Sequence, residues 1–264
     1  MRIVSVNAWG GTMLDELTGW LTGCGADVIC LQEVCRTPGA TGWIGFDDGE
    51  RSLPQRADLH GDLIRVMPDH QAFFLACDSG PVQDRDGIVR RQDFGIGTYV
   101  GPALPVIGLQ SAFVHGRYRL HDVWPTSNRP RAALAVRVVD PRSGRPVTVV
   151  QVHGLRDRAG KHDTPARDEQ ARRLAGLVEQ ARAEGGVVVL CGDLNLLPDS
   201  RTFAVLSAVG LTDLVGDADT RTSRYTKPVR HASYLLVSDP AAVRSFRISS
   251  GPEVSDHRPL IIDL

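Results

Sequence analysis

Val187-Val188-Val189-Leu190-Cys191-Gly192-Asp193-Leu194-Asn195 is a short apolar run that stops in an acid and an amide. A continuous apolar run of strand length predicts a β-strand covered on both faces, with the polar residues at its C-terminal end lying at the mouth of a sheet. Gly192 lets the backbone turn or be approached closely. Asp193 and Asn195, two residues apart, project toward one face as the strand continues. Taken alone, the stretch also reads as an ordinary strand-to-turn exit, because Asp and Asn are turn formers. Its neighbours decide the matter.

Working outward, Arg2 to Val6 runs into Asn7, Asp27 to Leu31 into Gln32-Glu33, and Val147 to Val152 into His153-Gly154. Near the C-terminal end, Val254-Ser255-Asp256-His257-Arg258-Pro259 precedes a last apolar run, Leu260 to Ile262. Together these ends supply Asn7, Glu33, His153, Asp193, Asn195, Asp256 and His257, all where strands meet loops. Hard oxygen donors of this kind suit magnesium or manganese, and two histidines beside them suit phosphoryl chemistry. Glu33 is the expected principal Mg2+ (or Mn2+) ligand, since a carboxylate at a strand end offers a fixed charged oxygen to an ion that keeps several waters.

This ordered set resembles the endonuclease/exonuclease/phosphatase superfamily, the DNase I-like fold, over essentially the whole chain. Gly192-Asp193-Leu194-Asn195 and Ser255-Asp256-His257-Arg258-Pro259 are its specific parts, with Gln32-Glu33 in support. The resemblance implies an α/β (α+β) four-layer sandwich, two packed mixed β-sheets flanked by helices, as one domain over residues 1–264. It also implies roles. Asn7 and Asp256 complete the metal shell around Glu33; Asp193 orients or deprotonates the attacking water; Asn195 holds the phosphate and that acid; His153 and His257 donate to phosphate oxygens. Arg131 matches an arginine the family often carries at the start of a strand. One departure stands out. Where the family has an Asp that orients the histidine of its terminal Ser-Asp-His motif, this chain has Ser233, and a hydroxyl does not stabilise imidazolium as a carboxylate does.

The implied activity is divalent-metal-dependent hydrolysis of phosphoester bonds, as a phosphodiesterase or nuclease, by in-line attack of water. The alternatives are a phosphomonoesterase acting on a lipid or small-molecule phosphate, and a non-catalytic member that kept the phosphate pocket. The Tyr-x-Pro-Asn stretch of the abasic-site endonuclease branch is absent after His153, whereas Arg167-Asp168-Glu169-Gln170 with Leu174 resembles the helix of the deadenylase, phosphatase and sphingomyelinase branches. Two basic segments, Arg117 to Trp124 and Arg156 to Lys161, are candidates to flank the pocket, with Tyr118 and Arg158 selecting the substrate. The first segment reads equally well as a solvated edge strand.

A chain of 264 residues is long enough for one sizeable core. A net charge of −1 neither demands nor excludes a nucleic acid, which stays among the candidate partners beside other phosphoesters. No run suits a membrane span, and the opening residues already read as a strand rather than a signal peptide, so a cytoplasmic monomer is expected. The five cysteines lack metal-ligand spacing and read as buried free thiols.

Periodicity predicts a helix capped by Thr12 and ending near Gly23, and an irregular loop from Arg36 followed by a short helix around Ala57 to Val66. Strands are expected at His70 to Ala76 and Phe94 to Val100, joined by a polar hairpin or loop from Asp78 to Arg91. Further on come a strand from Ala132 to Val139, a helix opened by Pro165, and a short helix capped by Ser200. A polar loop from Leu211 to Arg230 precedes the closing strands.

Overall fold

The computed structural model, which describes residues 1–264, begins with β1 (Arg2–Asn7), α1 (Leu14–Gly23) and β2 (Val28–Arg36). A hairpin of β3 (Trp43–Asp47) and β4 (Ser52–Arg56) leads to α2 (Leu59–Val66). The long hairpin β5 (Gln71–Gln83) and β6 (Val89–Val100) follows, then β7 (Val106–His115), the two-residue β8 (Arg119–Leu120) and β9 (Arg131–Val139). β10 (Pro146–His153), α3 (Pro165–Ala183) and β11 (Val187–Asp193) form a βαβ unit. The chain closes with α4 (Arg201–Ala208), β12 (Thr212–Asp213), β13 (Ser233–Val237), β14 (Ser245–Ile248) and β15 (Leu260–Asp263).

The strands make two mixed sheets. One runs β14-β15-β1-β2-β6-β5-β3-β4, with β8 beside β5, and the other β12-β13-β11-β10-β9-β7. Each contains a parallel pair, β1 with β2 and β10 with β11. Leu17 and Leu21 of α1 and Leu59 and Leu63 of α2 pack on Val6, Ile29 and Leu31, covering the outer face of the first sheet. Leu174, Leu177 and Val178 of α3 and Leu206 of α4 join the larger core against the second sheet. The result is the four-layer α/β sandwich with helices outermost.

The two-residue period of a strand explains how the facing surfaces are built. Ile3, Ser5 and Asn7 share one face of β1; Val28, Cys30 and Gln32 share that of β2. Val149, Gln151 and His153 on β10, and Val189, Cys191 and Asp193 on β11, do the same from the other sheet. Each series is apolar at its start and polar at its C-terminal end. Because parallel neighbours run together, all the polar ends gather at one mouth. Below it Gln32 Nε2 donates to Gln151 Oε1 (3.2 Å), and Gln151 Nε2 to Thr98 Oγ1 (2.6 Å), tying the sheets across the core.

Sequence and structure part where apolar patterning is thin. The stretch expected to be an irregular loop after Arg36 contains the β3–β4 hairpin, in which only Ile44 and Phe46 are buried on β3 and Gly45 and Pro54 break the pattern. The Asp78 to Arg91 region, expected as a polar hairpin or loop, is a hairpin whose strands run further than expected, to Gln83 and from Val89, with Trp124 from a distant segment packed over Gly80. β7 is an edge strand with alternate exposed residues that the sequence reading did not assign. Thr12 is not the cap of α1; its hydroxyl donates to Trp9 O in a preceding 3-10 turn, and Met13 takes the cap position. Thr164, Pro165 and Ser200 do open α3 and α4 as their residue types require. All five cysteines are free thiols.

His60, on α2, is buried with its Nδ1 3.0 Å from Tyr99 Oη, and burial together with the nearby Arg36 cation pushes its pKa down to about 4. The unfolded chain takes up this proton near pH ~6.5, whereas the folded chain refuses it. Stability from the neutral ring is therefore complete above pH ~6.5 and is lost as the pH falls toward 4. Melting temperatures of wild type and His60→Phe from pH 7.5 to 5 are expected to show wild type losing its advantage as the solution is acidified. A difference that stays constant with pH contradicts this.

Candidate active site

The register of the parallel pair places His153 of β10 beside Asp193 of β11, and β13 sets Ser233 on the other side of Asp193. Close backbone approach makes this possible. At Gly192, with φ +143°, a Cβ would lie 1.9 Å from Val152 O, so no other residue fits there without displacing β10. Across the mouth, β2 carries a bulge between Gln32 and Val34, and the extra residue is Glu33, at φ +55°. Such a conformation is costly for a residue with a side chain, and here it turns the carboxylate out of the ladder toward the second sheet.

Four non-glycine residues have positive φ: Trp9, Glu33, Asn128 and Asn195. Three of them line one cleft of about 710 Å³ at the mouth, and Asn128 stands between Ser127 and Arg129, which also line it. Strain concentrated at one place is characteristic of a functional site.

Asp193 is the centre. It is buried; Oδ1 accepts from Asn195 N (3.0 Å) and Oδ2 from Asn7 Nδ2 (3.0 Å). Burial alone would raise its pKa, but the neighbouring Arg221 and Lys161 cations and the Asn7 amide hold it below the usual carboxylate range. His257 Nε2 lies 3.4 Å from Asp193 Oδ2, and His153 Nε2 lies 3.9 Å from Asp193 Oδ2 and 3.9 Å from Glu33 Oε1. These separations exceed direct hydrogen bonds, and an oxygen bonded to two of the groups would lie to the side of the line between them. Burial, followed by the Arg131 charge at His153 and the Arg221 charge at His257, pushes both imidazoles well below their ordinary pKa, so both are neutral near pH 7. Ser233 Oγ meets His257 Nδ1 at 2.9 Å.

Asp256 completes the acidic side. Burial, with Glu33 and Asp193 nearby, pushes its carboxyl up to about 6 despite Arg221, whose Nη1 donates to Asp256 Oδ2 at 2.6 Å. An added cation would relieve this excess of negative charge. No three His, Cys, Asp or Glu side chains converge as an all-protein cage. Glu33 and Asp256 thus offer the sparse carboxylate set that suits Mg2+ or Mn2+, ions that keep waters and take substrate oxygens.

Most of the residues singled out in the sequence meet here. Glu33, Arg131, His153, Arg158, Asp193, Asn195, Asp256 and His257 all line the cleft. Asn7 and Ser233 do not; they stand behind it, and Asn7 Oδ1 already accepts from Trp9 N (2.9 Å), so Asn7 acts here as the holder of Asp193. Tyr118 is also outside the cleft. It is exposed, with its hydroxyl 3.5 Å from Asp93 Oδ1, and the Arg117 to Trp124 segment sends its one large buried side chain, Trp124, under Arg129. Arg131 is buried with Nε and Nη1 unpartnered, and burial and the adjacent Arg129 lower its pKa.

Sequence reasoning missed Arg221 and the catalytic-side position of Lys161. Arg221 sits in a polar loop with no pattern to mark it and reaches the site through an isolated bridge to His257. Lys161 Nζ donates to the His231 carbonyl, and burial pushes its pKa down to about 8 against the pull of Asp193. The loop bearing Lys161 is pinned from α3, where Arg167 donates to the carbonyls of Leu155, Gly160 and His162 and Gln170 Oε1 accepts from Leu155 N.

The sequence profile of the Endonuclease/Exonuclease/phosphatase family matches residues 4–257. The chain belongs to this family. Its named activities are hydrolyses of phosphoester bonds. No curated protein sequence matches the chain. Among solved structures, a mannosyl-6-phosphatase of Bacteroides thetaiotaomicron is similar at TM-score 0.67 and 14% identity, over 100% of this chain and 98% of that one. TDP2 of D. rerio, complexed with a single-strand DNA product, is similar at 0.64 and 17%, over 99% and 97%. The human Nocturnin catalytic domain with bound sulfate is similar at 0.63 and 16%, over 99% and 93%. No helix of this family member is long and apolar enough to cross a membrane.

Arg221 is buried and Asp256 nearly so, with side chains 7% and 14% exposed. Removing one member of a buried pair leaves the other uncompensated, at a cost of ~3–5 kcal/mol. Arg221→Met is expected to lose about that much stability in urea unfolding, and Arg221→Met with Asp256→Asn to recover most of it. A single variant as stable as wild type contradicts the pairing.

Proposed function

We propose that the chain is a divalent-metal-dependent phosphodiesterase that cleaves its substrate by in-line attack of water. One observation carries this reading: an ionised, buried Asp193 held on both oxygens by Asn7 and Asn195, with the neutral imidazoles of His257 and His153 3.4 and 3.9 Å from it and Glu33 3.9 Å from His153. Asp193 accepts the proton of a water bound beside it in the cleft. Its two anchoring hydrogen bonds fix the direction from which the water approaches. His153 and His257 donate from Nε2 to the phosphoryl oxygens, and Ser233, by donating to Nδ1, sets the His257 tautomer that can do so. Arg131, whose free donors are already dehydrated, binds a further oxygen. Glu33 and Asp256 would hold a magnesium ion, which would supply charge neutralisation at the phosphate.

The preference for a diester rests on the shape of the cleft. Its lining extends beyond the residues around Asp193 to include Phe46, Leu53 and Arg156 as well as Leu197, Tyr225 and Lys227. A diester has two arms to house, and a monoester one.

Bis-aryl phosphate is therefore expected to turn over with magnesium or manganese, faster than the aryl monoester. Glu33→Gln should lose about a hundredfold or more in kcat, the scale for loss of a charge-stabilising group. Full activity in excess chelator, or in Glu33→Gln, sinks this reading. Faster turnover of the monoester shifts it to a phosphomonoesterase, and binding without turnover on a broad phosphoester panel shifts it to a phosphate-binding member.

A further inference from the structure

Among the arginines that line the cleft, Arg156 and Arg158 are paired with no carboxylate of their own loop. Arg156, partly buried, donates from Nη1 to Thr126 O at 3.2 Å. Arg158 stands at the rim with 65% of its side chain exposed. The carboxylate that reaches them comes from elsewhere. Glu50, in the turn between β3 and β4, bonds Arg158 Nη2 and lies 4.0 Å from Arg156 Nη2, across 108 residues of sequence from Arg158.

The turn is built so that Glu50 has no other task. Asp48, nearly buried, accepts from the backbone N–H of Glu50 (3.1 Å) and Arg51 (2.8 Å) and pairs with the Arg51 side chain, leaving the Glu50 carboxylate directed at the opposite loop. Glu50, Arg156 and Arg158 all line the cleft. A half-exposed pair of this kind is weakly held and exchanges readily for a better anion. Two guanidinium forks within reach of one carboxylate match a phosphate, which offers more oxygens and more charge.

We infer that Arg156 and Arg158 form a second phosphate subsite, that Glu50 fills it in the ligand-free chain, and that the substrate is a phosphodiester one arm of which carries a further phosphate group. The subsite stands on the two arginines and Glu50; only its description as part of a substrate site rests on the hydrolase reading above. Glu50 then works as a built-in competitor, since a ligand without the second phosphate leaves it in place and one with that phosphate must displace it.

Binding tests this without turnover. Calorimetry on the Glu33→Gln protein in magnesium would compare thymidine monophosphate with thymidine bisphosphate, and inositol monophosphate with inositol bisphosphate. At least one bisphosphate is expected to bind about tenfold tighter than its monophosphate, as two charge-assisted contacts allow. Adding Glu50→Gln should widen that ratio by roughly threefold or more, and adding Arg156→Gln with Arg158→Gln should bring it to about one. Preference on the nucleoside pair assigns the second phosphate to a nucleotide; preference on the inositol pair assigns it to a phosphorylated head group. Equal binding within both pairs, or a ratio that Glu50→Gln leaves in place, overturns the subsite. Absence of hydrolysis on the phosphoester panel bears on the proposed activity and leaves this ratio intact.

Discussion

Two hydrogen bonds between the sheets hold everything else in place: Gln32 to Gln151 in the core and Asn7 to Asp193 at the mouth. Apolar side chains pack the sheets together, but such contacts are non-directional and fix no register. A buried amide is different, because leaving it unpaired costs about 1–3 kcal/mol. Sliding one sheet by a residue would unpair Gln32 and Gln151 and would carry Asn7 away from Asp193. The polar ends of four strands therefore meet at one level, and the site exists because they do.

That mouth is expensive. Glu33, Asn195 and Trp9 sit in left-handed backbone at a cost of about 1–3 kcal/mol each, Arg131 is dehydrated without partners, and three carboxylates crowd together. The continuous core beneath and the helical layers outside offset this. Each unfavourable feature corresponds to something a phosphoester in water attack requires: an outward-turned acid, unsatisfied donors, and negative charge that a cation neutralises. Glu50 extends the same logic to the rim, where the anion that a free pair of arginines calls for comes from the chain itself.

Much of this was legible because strand endings leave a trace in sequence. An apolar run that stops in Asp193-Leu194-Asn195, repeated in kind at Asn7, Glu33 and His153, announces strands that share a polar end. The placement of Ser233 against His257 was implied by the family resemblance, in which an acid stands where this chain has Ser233. What was hidden depends on contacts far apart in sequence. The β3–β4 hairpin is stabilised by a few buried side chains and turn chemistry, so its periodicity is faint, and with it went Glu50. Arg221 is one arginine among many in a polar loop, and only the fold brings it to Asp256. Tyr118 shows the opposite: an aromatic among basic residues suggested a ring for the substrate, yet the segment turns Trp124 inward and leaves Tyr118 facing solvent.

In the proposed reaction Asp193 directs water onto phosphorus in a single displacement, with no covalent phosphoenzyme. The stereochemical course at phosphorus tests this most directly, using a chiral phosphorothioate diester hydrolysed in oxygen-18 water. Direct in-line attack predicts inversion of configuration. Retention would mean two displacements through a side chain of the enzyme, and would contradict the role given to Asp193.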